Sequence, residues 1–567
     1  MADFAELTYQ RPNYESIKSE YDQLLAALNG ADDPLTATQA ALAISKLNEQ
    51  FSSQQMLSMI RHSVNTLDAF YEGENDYWDE NEPKYDELTA KYYQALISSP
   101  FQEALHRVLP APLFKIAANQ VKTFSSENIP LMQRENKLIS RYSKLIASAQ
   151  IEFNGETYTL PQLGKFSSDP DRQLRKAASL AVAKWYADHG AEFDDIYDQL
   201  VKIRTQIAHQ LGYRDYAQMS LDARDRFDYD DQDIANYREQ ILKQVVPVAT
   251  EIHERQRQRL GLDKLEFFDE GFTFPSGNAV PEGTSDELVA KANDFYHELS
   301  PETGRFFQMM VDDHNLDLLS HHGKESGGYC EYLPAFNTPF IFANFNGTSG
   351  DVDVLTHETG HAFQAYQARD TNAWECIFPT TEAAEIFSMS MEFIAYPWID
   401  KFFGKQTAKY EYDHLSSALI FLPYGALVDH FQTEVYTHPE LTPKQRKATW
   451  RRLERLYLPD RDYTEVPELE EGIFWYRQGH IFEVPFYYID YTLAQVVAFE
   501  FWQRFNIDRD PQAWSDYLAM AQAGGKKSFI ELIELGHLQS PFAEGTIEHV
   551  VEQIKTKLAA TSEADLQ

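Results

Sequence analysis

The chain has 567 residues, 43% of them hydrophobic and 14% aromatic, which exceeds one ordinary hydrophobic core and predicts at least two lobes. A formal charge of −38 excludes functions that need basic patches, so neither nucleic acid nor an anionic membrane surface is an expected partner. With two cysteines, no apolar run near about 18 residues and no basic-then-apolar leader after Met1, the expected location is the reducing cytoplasm.

In chain order the first third reads as helices. Tyr14–Asn29 has an amphipathic pattern closed by Gly30, and similar patterns cover 35–70, 84–98 and 134–149. Acidic clusters at 72–87 and 222–233 read as solvated faces that keep the protein soluble. Alternation around Asn154-Gly155 predicts a hairpin, and the Asp169-Pro170-Asp171 turn follows it. The domain boundary is placed there, giving an N-terminal helical region, 1–165, and a helical catalytic region, 166–567. Helices are predicted over 171–187 and 193–211, then an irregular loop over 262–285 rich in Phe, Gly and Pro. Gly327-Gly328-Tyr329-Cys330 precedes an aromatic and β-branched run, 340–345, bounded by Pro339 and Asn346-Gly347. That run predicts a short strand. At a sheet edge it would pair with an extended peptide; in the interior it would be core.

The next predicted helix carries His357-Glu358-Thr359-Gly360-His361. Two histidines four residues apart share a helix face and can clamp one metal ion, with Glu358 placed to take a proton from a water on it. Imidazole suits zinc, and zinc lowers the pKa of its bound water to about 7. Gly360 costs about 1 kcal/mol relative to alanine within a helix, so it implies close approach of another backbone, a substrate or a packed helix. A catalytic zinc takes three protein ligands and a water. Gln367 stands where a metzincin would place its third histidine, which excludes that class. A helix over 380–393 offers Glu382, Glu385 and Glu392. Glu385 and Glu392 lie two turns apart on one face, so one can reach the metal while the other holds a ligand histidine. Periodicity does not say which.

Taken with the spacing to Glu385, HETGH resembles the M3 family of zinc oligopeptidases, which includes the thimet oligopeptidases, oligoendopeptidase F and the Pz-peptidases. The resemblance implies that His357, His361 and Glu385 hold one Zn2+, that Glu358 is the catalytic base and that Glu392 is the outer acid of a Glu-x6-Glu pattern. Glu382 is then a solvated or outer acid. A second segment, Gly472 to Tyr491, is similar to the part of the family that faces the zinc. It implies His480, Tyr488 and Tyr491 as donors to the oxyanion, with Tyr487 beside the substrate. Gly328, Tyr329, Ala343 and Phe345 match the segment that lines the bound peptide, and Leu211-Gly-Tyr-Arg-Asp-Tyr216 also resembles oligoendopeptidases. The implied fold is mainly α, a two-lobed metallopeptidase with a deep central channel and a small sheet beside the HETGH helix. The implied activity is zinc-dependent hydrolysis of internal bonds in short, unstructured oligopeptides. Two alternatives stand beside it. A carboxypeptidase would need a basic group near the zinc, such as Arg369 or Arg477. A non-catalytic peptide-binding protein with a vestigial zinc site would have no need of Glu358.

Overall fold

Side-chain caps set where the N-terminal helices begin. In the computed structural model, which describes residues 2–566, Asn13 accepts the Ser16 amide ahead of helix α1 (Tyr14–Asn29). Asp33 does the same for α2 (Pro34–Val64), and Asp68 for α3 (Ala69–Ser98). Helix α3 begins well before residue 84. Its buried stripe of Trp78, Tyr85, Leu88 and Tyr92 runs beneath an acidic face, and the charge density hid the amphipathic pattern. One of those acids is not solvated: Glu74 is 3% exposed and paired with Arg11 at 2.6 Å. With α4 (Ala111–Thr123) these helices enclose a core that includes Tyr21, Ile44, Tyr92 and Leu113.

The predicted hairpin forms between β1 (Ile151–Phe153) and β2 (Glu156–Tyr158), with Asn154 and Gly155 both at positive φ, 52° and 83°. Helices follow at Arg172–Asp188 and Gly190–Gln210. The loop over 262–285 is irregular apart from one 3-10 turn at Phe267–Asp269, pinned by Asp269 to Arg172 and Arg175 at 2.7 Å each.

The small sheet has the order β3 (Leu316–Leu319), β5 (Thr338–Phe345), β4 (Tyr329–Leu333); β5 lies parallel to β3 and antiparallel to β4. Thus the aromatic run is the central strand, not the edge. Phe340 and Phe342 pack with Leu57 and Ile60 of α2. Ile341, Ala343 and Phe345 face the main core. A strand covered on both faces reads as a continuous apolar run. Ala343 is 0% and Phe345 7% exposed. Their expected place against a bound peptide is therefore corrected: both are core residues.

Four helices build the site: α5 (Gly350–Ala368), α6 (Thr381–Ile394), α7 (Thr407–Thr437) and α8 (Tyr488–Trp502). Helix α6 is buried on nearly every side, as its apolar circumference requires. It crosses α5 at Gly360. A Cβ there would lie 2.5 Å from the Phe387 carbonyl oxygen and 2.7 Å from Ser388 Cα. Gly360 therefore answers to a neighbouring backbone. Since backbone cannot swing aside as a side chain can, Gly360→Ala is expected to cost about 1–3 kcal/mol or more. The check is an earlier urea midpoint; an unchanged midpoint would mean that α5 and α6 separate freely. No helix among the described residues is long and apolar enough to cross a membrane.

Candidate active site and metal centre

Helix α5 starts where the chain leaves β5. Asp351 accepts the amides of Asn346 and Gly347 at 2.8 Å each, tying that loop to the first turn. One turn separates His357 from His361, and their rings stand 5.1 Å apart at 79°. From α6, Glu385 reaches between them, its Oε2 lying 3.3 Å from His357 Nε2 and 3.2 Å from His361 Nε2. One ligand atom from each of the three lies within 4.8 Å of the others. A single ion at about 2.0–2.2 Å from two imidazoles and a carboxylate fits that spacing.

Both oxygens of Glu385 accept a side-chain hydrogen bond. Tyr487 donates its hydroxyl to Oε1 at 2.5 Å, and Ser388 donates to Oε2 at 2.9 Å. Burial alone would raise this carboxyl, yet His361 and His357 hold it well below the usual carboxylate range. Glu392 lies behind His357, accepting from Nδ1 at 2.7 Å. That hydrogen bond leaves Nε2 turned toward Glu385. The two acids of α6 thus divide in space: Glu385 faces the convergence of the histidines, and Glu392 backs one of them.

Three residues of this outer layer carried no local signal. His414 on α7 contacts the second oxygen of Glu392 at 2.7 Å through Nε2, and Tyr396 contacts His414 Nδ1 at 2.8 Å. Tyr410 stacks on His414 and donates to Asp353 at 2.6 Å. Burial pushes Asp353 up to about 6. Glu382, expected as a solvated or outer acid, is 1% exposed and buried near Asp490, pushed up to about 8 by burial and by that carboxylate.

Glu358 is 5% exposed, and its Oε2 has no hydrogen-bond partner. Burial raises its carboxyl, in the direction that makes it a better proton acceptor. Gly328 lies against it: a Cβ there would meet Val354 Cγ2 at 2.8 Å and Glu358 Oε1 at 3.4 Å. The missing side chain keeps open the space beside the carboxylate. Tyr329 does not share that role. Its ring stacks on Phe342 at 4.7 Å and its hydroxyl bonds Ser63 at 2.6 Å, so its side chain belongs to the packing of the sheet.

β4 is one of the two edges of the sheet. Tyr332 faces Pro339, which has no N–H to give, so Tyr332 and, two residues back, Cys330 turn their peptide groups outward. The Tyr332 amide is taken by Glu331 Oε1 at 3.1 Å.

Opposite, a cavity of about 420 Å3 is bordered by His357, Met389, Phe421, His480, Tyr488 and Tyr491. His480 Nε2 lies 3.2 Å from the Tyr491 hydroxyl, and the Tyr488 ring is 4.9 Å from His480. Burial pushes His480 down to about 4, which keeps the ring neutral. Arg369 borders a separate cavity with Lys46 and Glu49, and Arg477 lies over Phe474 at 4.1 Å; neither borders the metal-site cavity. Arg224 comes closer, its guanidinium 4.9 Å from the Tyr487 ring centroid, with Nε and Nη2 unpartnered.

Residues 4–124 match a family model described as the peptidase M3 N-terminal domain, and 166–552 match one described as peptidase family M3. Among solved structures, one named as an oligoendopeptidase F is 46% identical at a TM-score of 0.97, covering 99% of this chain and 100% of its own. PZ peptidase A with an inhibitor is 45% identical at 0.97, covering 100% of both chains. A protein from Bacillus anthracis str. Ames, again named as an oligoendopeptidase F, is 44% identical at 0.93, covering 100% of both. No curated protein matches the sequence.

Proposed function

The chain belongs to peptidase family M3 and is a peptidase, and from that premise we propose that it is a zinc-dependent oligoendopeptidase. The observation that carries the proposal is the convergence of His357, His361 and Glu385 beside the unpartnered Glu358 Oε2. Two imidazoles and a carboxylate suit zinc, and three protein ligands leave one position open. When bound there, zinc polarises the scissile carbonyl and lowers the pKa of a water to about 7.

The chain's own groups then have separable tasks. Glu392 and His414 hold the His357 ring with Nε2 toward Glu385, where it would serve as a ligand. Glu358 takes the proton of the attacking water on Oε2 and passes it to the nitrogen of the departing amine. Tyr491, with Tyr488 beside it, donates to the carbonyl oxygen as negative charge builds there, and His480 orients that phenol. Along β4 the outward peptide group of Cys330 and the Tyr332 carbonyl can pair with an extended peptide, which recognises backbone without regard to side chain. By resemblance the site lies in a deep channel between helical lobes, which restricts substrates to short, unstructured peptides. We place the activity in the cytoplasm, where the free thiols of Cys330 and Cys376 stay reduced.

C-terminal trimming is the second reading. It is favoured by one observation, the Arg224 guanidinium over Tyr487 with Nε and Nη2 unpartnered, which could hold a terminal carboxylate. Mass spectrometry of peptides of graded length, incubated with and without a zinc chelator, separates the two. Chelator-sensitive internal cuts that fade as the peptides lengthen are expected. A ladder of single C-terminal losses would move the assignment to a carboxypeptidase. No cleavage by metal-loaded protein would leave a peptide-binding protein.

A further inference from the structure

Gln478 lies outside the converging ligands, within the segment from Gly472 to Tyr491, and its amide stands between two side chains. On one side Tyr424 donates its hydroxyl to Gln478 Oε1 at 2.8 Å. Burial raises the Tyr424 phenol, so it keeps the proton that it donates here. Its ring is wedged edge-on against Trp450, Phe474 and Tyr488. With Oε1 turned to Tyr424, the amide presents its NH2 to the other side, where Nε2 lies 2.8 Å from His480 Nδ1. An amide NH2 donates and cannot accept, so Nδ1 must be the unprotonated nitrogen of the ring. The ring is neutral, because burial pushes its pKa down to about 4. Its single proton is consequently on Nε2, 3.2 Å from the Tyr491 oxygen. Tyr491 then accepts from His480, and its own proton must point elsewhere.

We propose that Gln478 is a positioning residue that selects the Nε2–H tautomer of His480 and so turns the Tyr491 hydroxyl proton away from the histidine and toward the metal-site cavity. The cavity that receives it is the one bordered by His357, His480, Tyr488 and Tyr491. With the opposite tautomer, His480 Nε2 would take the Tyr491 proton, and the phenol would offer only lone pairs to an oxygen that is becoming negative. The hydrogen-bond direction along Tyr424, Gln478, His480 and Tyr491 is thus set at its far end, by a phenol packed among aromatic rings. The proposal rests on the peptidase reading above for its consequence in turnover, but not for the tautomer itself.

Two measurements test it. In the full-length protein labelled with 15N-histidine, the His480 signals, assigned by their loss in His480→Phe, are expected to show an unprotonated Nδ1 and a protonated Nε2. A protonated Nδ1 in the wild-type protein would overturn the proposal whether or not the protein cleaves peptides. Gln478→Met, similar in volume but without the amide, is expected to lose that preference and to lower kcat by up to about 10²–10³-fold, the range for losing one oxyanion donor. KM and metal content should stay unchanged. In a Tyr491→Phe background the same substitution is expected to cost almost nothing further, since Gln478 acts through that hydroxyl. Equal losses in both backgrounds would reduce Gln478 to a packing residue and sink the idea. Tyr424→Phe, which keeps the ring and frees the amide to flip, is the second variant should Gln478→Met fold poorly. It is expected to leave a mixture of tautomers and a smaller loss of kcat; a single unchanged tautomer with full kcat would remove Tyr424 and the orienting relay.

Discussion

Glu358→Gln is expected to keep the metal, the fold and the substrate affinity while lowering kcat by at least about 10²–10⁴-fold, the contribution of a general acid–base group. The substitution preserves shape within a helix turn packed tightly enough that Glu358 is 5% exposed. It removes a basic oxygen and little else, because Glu358 is not one of the three converging ligands and its Oε2 bonds to nothing that would be left unpaired. An amide cannot accept the proton that leaves water as it attacks a carbonyl. It also cannot hand one back to the leaving nitrogen. Both halves of the proton transfer fail together, so the effect should appear in kcat and not in KM. The check is metal content per chain by mass spectrometry beside kcat on a peptide cut by the wild type. Near-normal turnover in a metal-loaded mutant would remove Glu358 from the chemistry.

The loss is expected to be that specific because of where the information for the site lies. HETGH and the Glu385–Glu392 spacing are local patterns, each contained in one helix, and helix geometry alone places their side chains on shared faces. Those residues were legible as a set. Which acid would face the histidines was not, since both occupy the same face of α6, and only the crossing of α5 over α6 at Gly360 decides that Glu385 lies between the rings and Glu392 behind one. His414 and Gln478 were not legible at all. Each is a polar residue whose role depends on a partner more than ten residues away, His414 on Glu392 and Gln478 on Tyr424, which sets the face that its amide turns to the nearby His480. The strand over 340–345 was read correctly as a strand, but an apolar run does not reveal whether its neighbours are one strand or two. Packing of Phe340 and Phe342 on α2, from a distant part of the chain, is what makes β5 central and turns Ala343 and Phe345 into core. Helix α3 was shortened for the opposite reason: its charge density masked a buried stripe that tertiary contact fills.

Glu385→Ala is expected to abolish metal retention. The ligand set loses its only carboxylate and with it the charge that offsets part of the ion's own, while two neutral imidazoles remain on one face of α5. Loss of a residue that merely supports a ligand costs about 10–100-fold in metal affinity. Glu392→Ala, which leaves His357 in place without its hydrogen-bond partner, should fall in that range, and Glu385→Ala should exceed it. The comparison separates ligand from support, because both acids belong to one helix and either substitution perturbs α6 to a similar degree. Truncation at 385 also leaves the Tyr487 hydroxyl and the Ser388 hydroxyl without their acceptor. A loss of stability is therefore expected in addition to the loss of metal, and the two are distinguished by adding back excess zinc. If Glu385 is a ligand, excess zinc restores neither occupancy after dialysis nor turnover, even in the fraction of protein that remains folded. Full occupancy in Glu385→Ala would transfer the third position to another acid. Glu392 is the one that already touches a ligand histidine, since Glu382 is buried beside Asp490 and takes no part in the converging group.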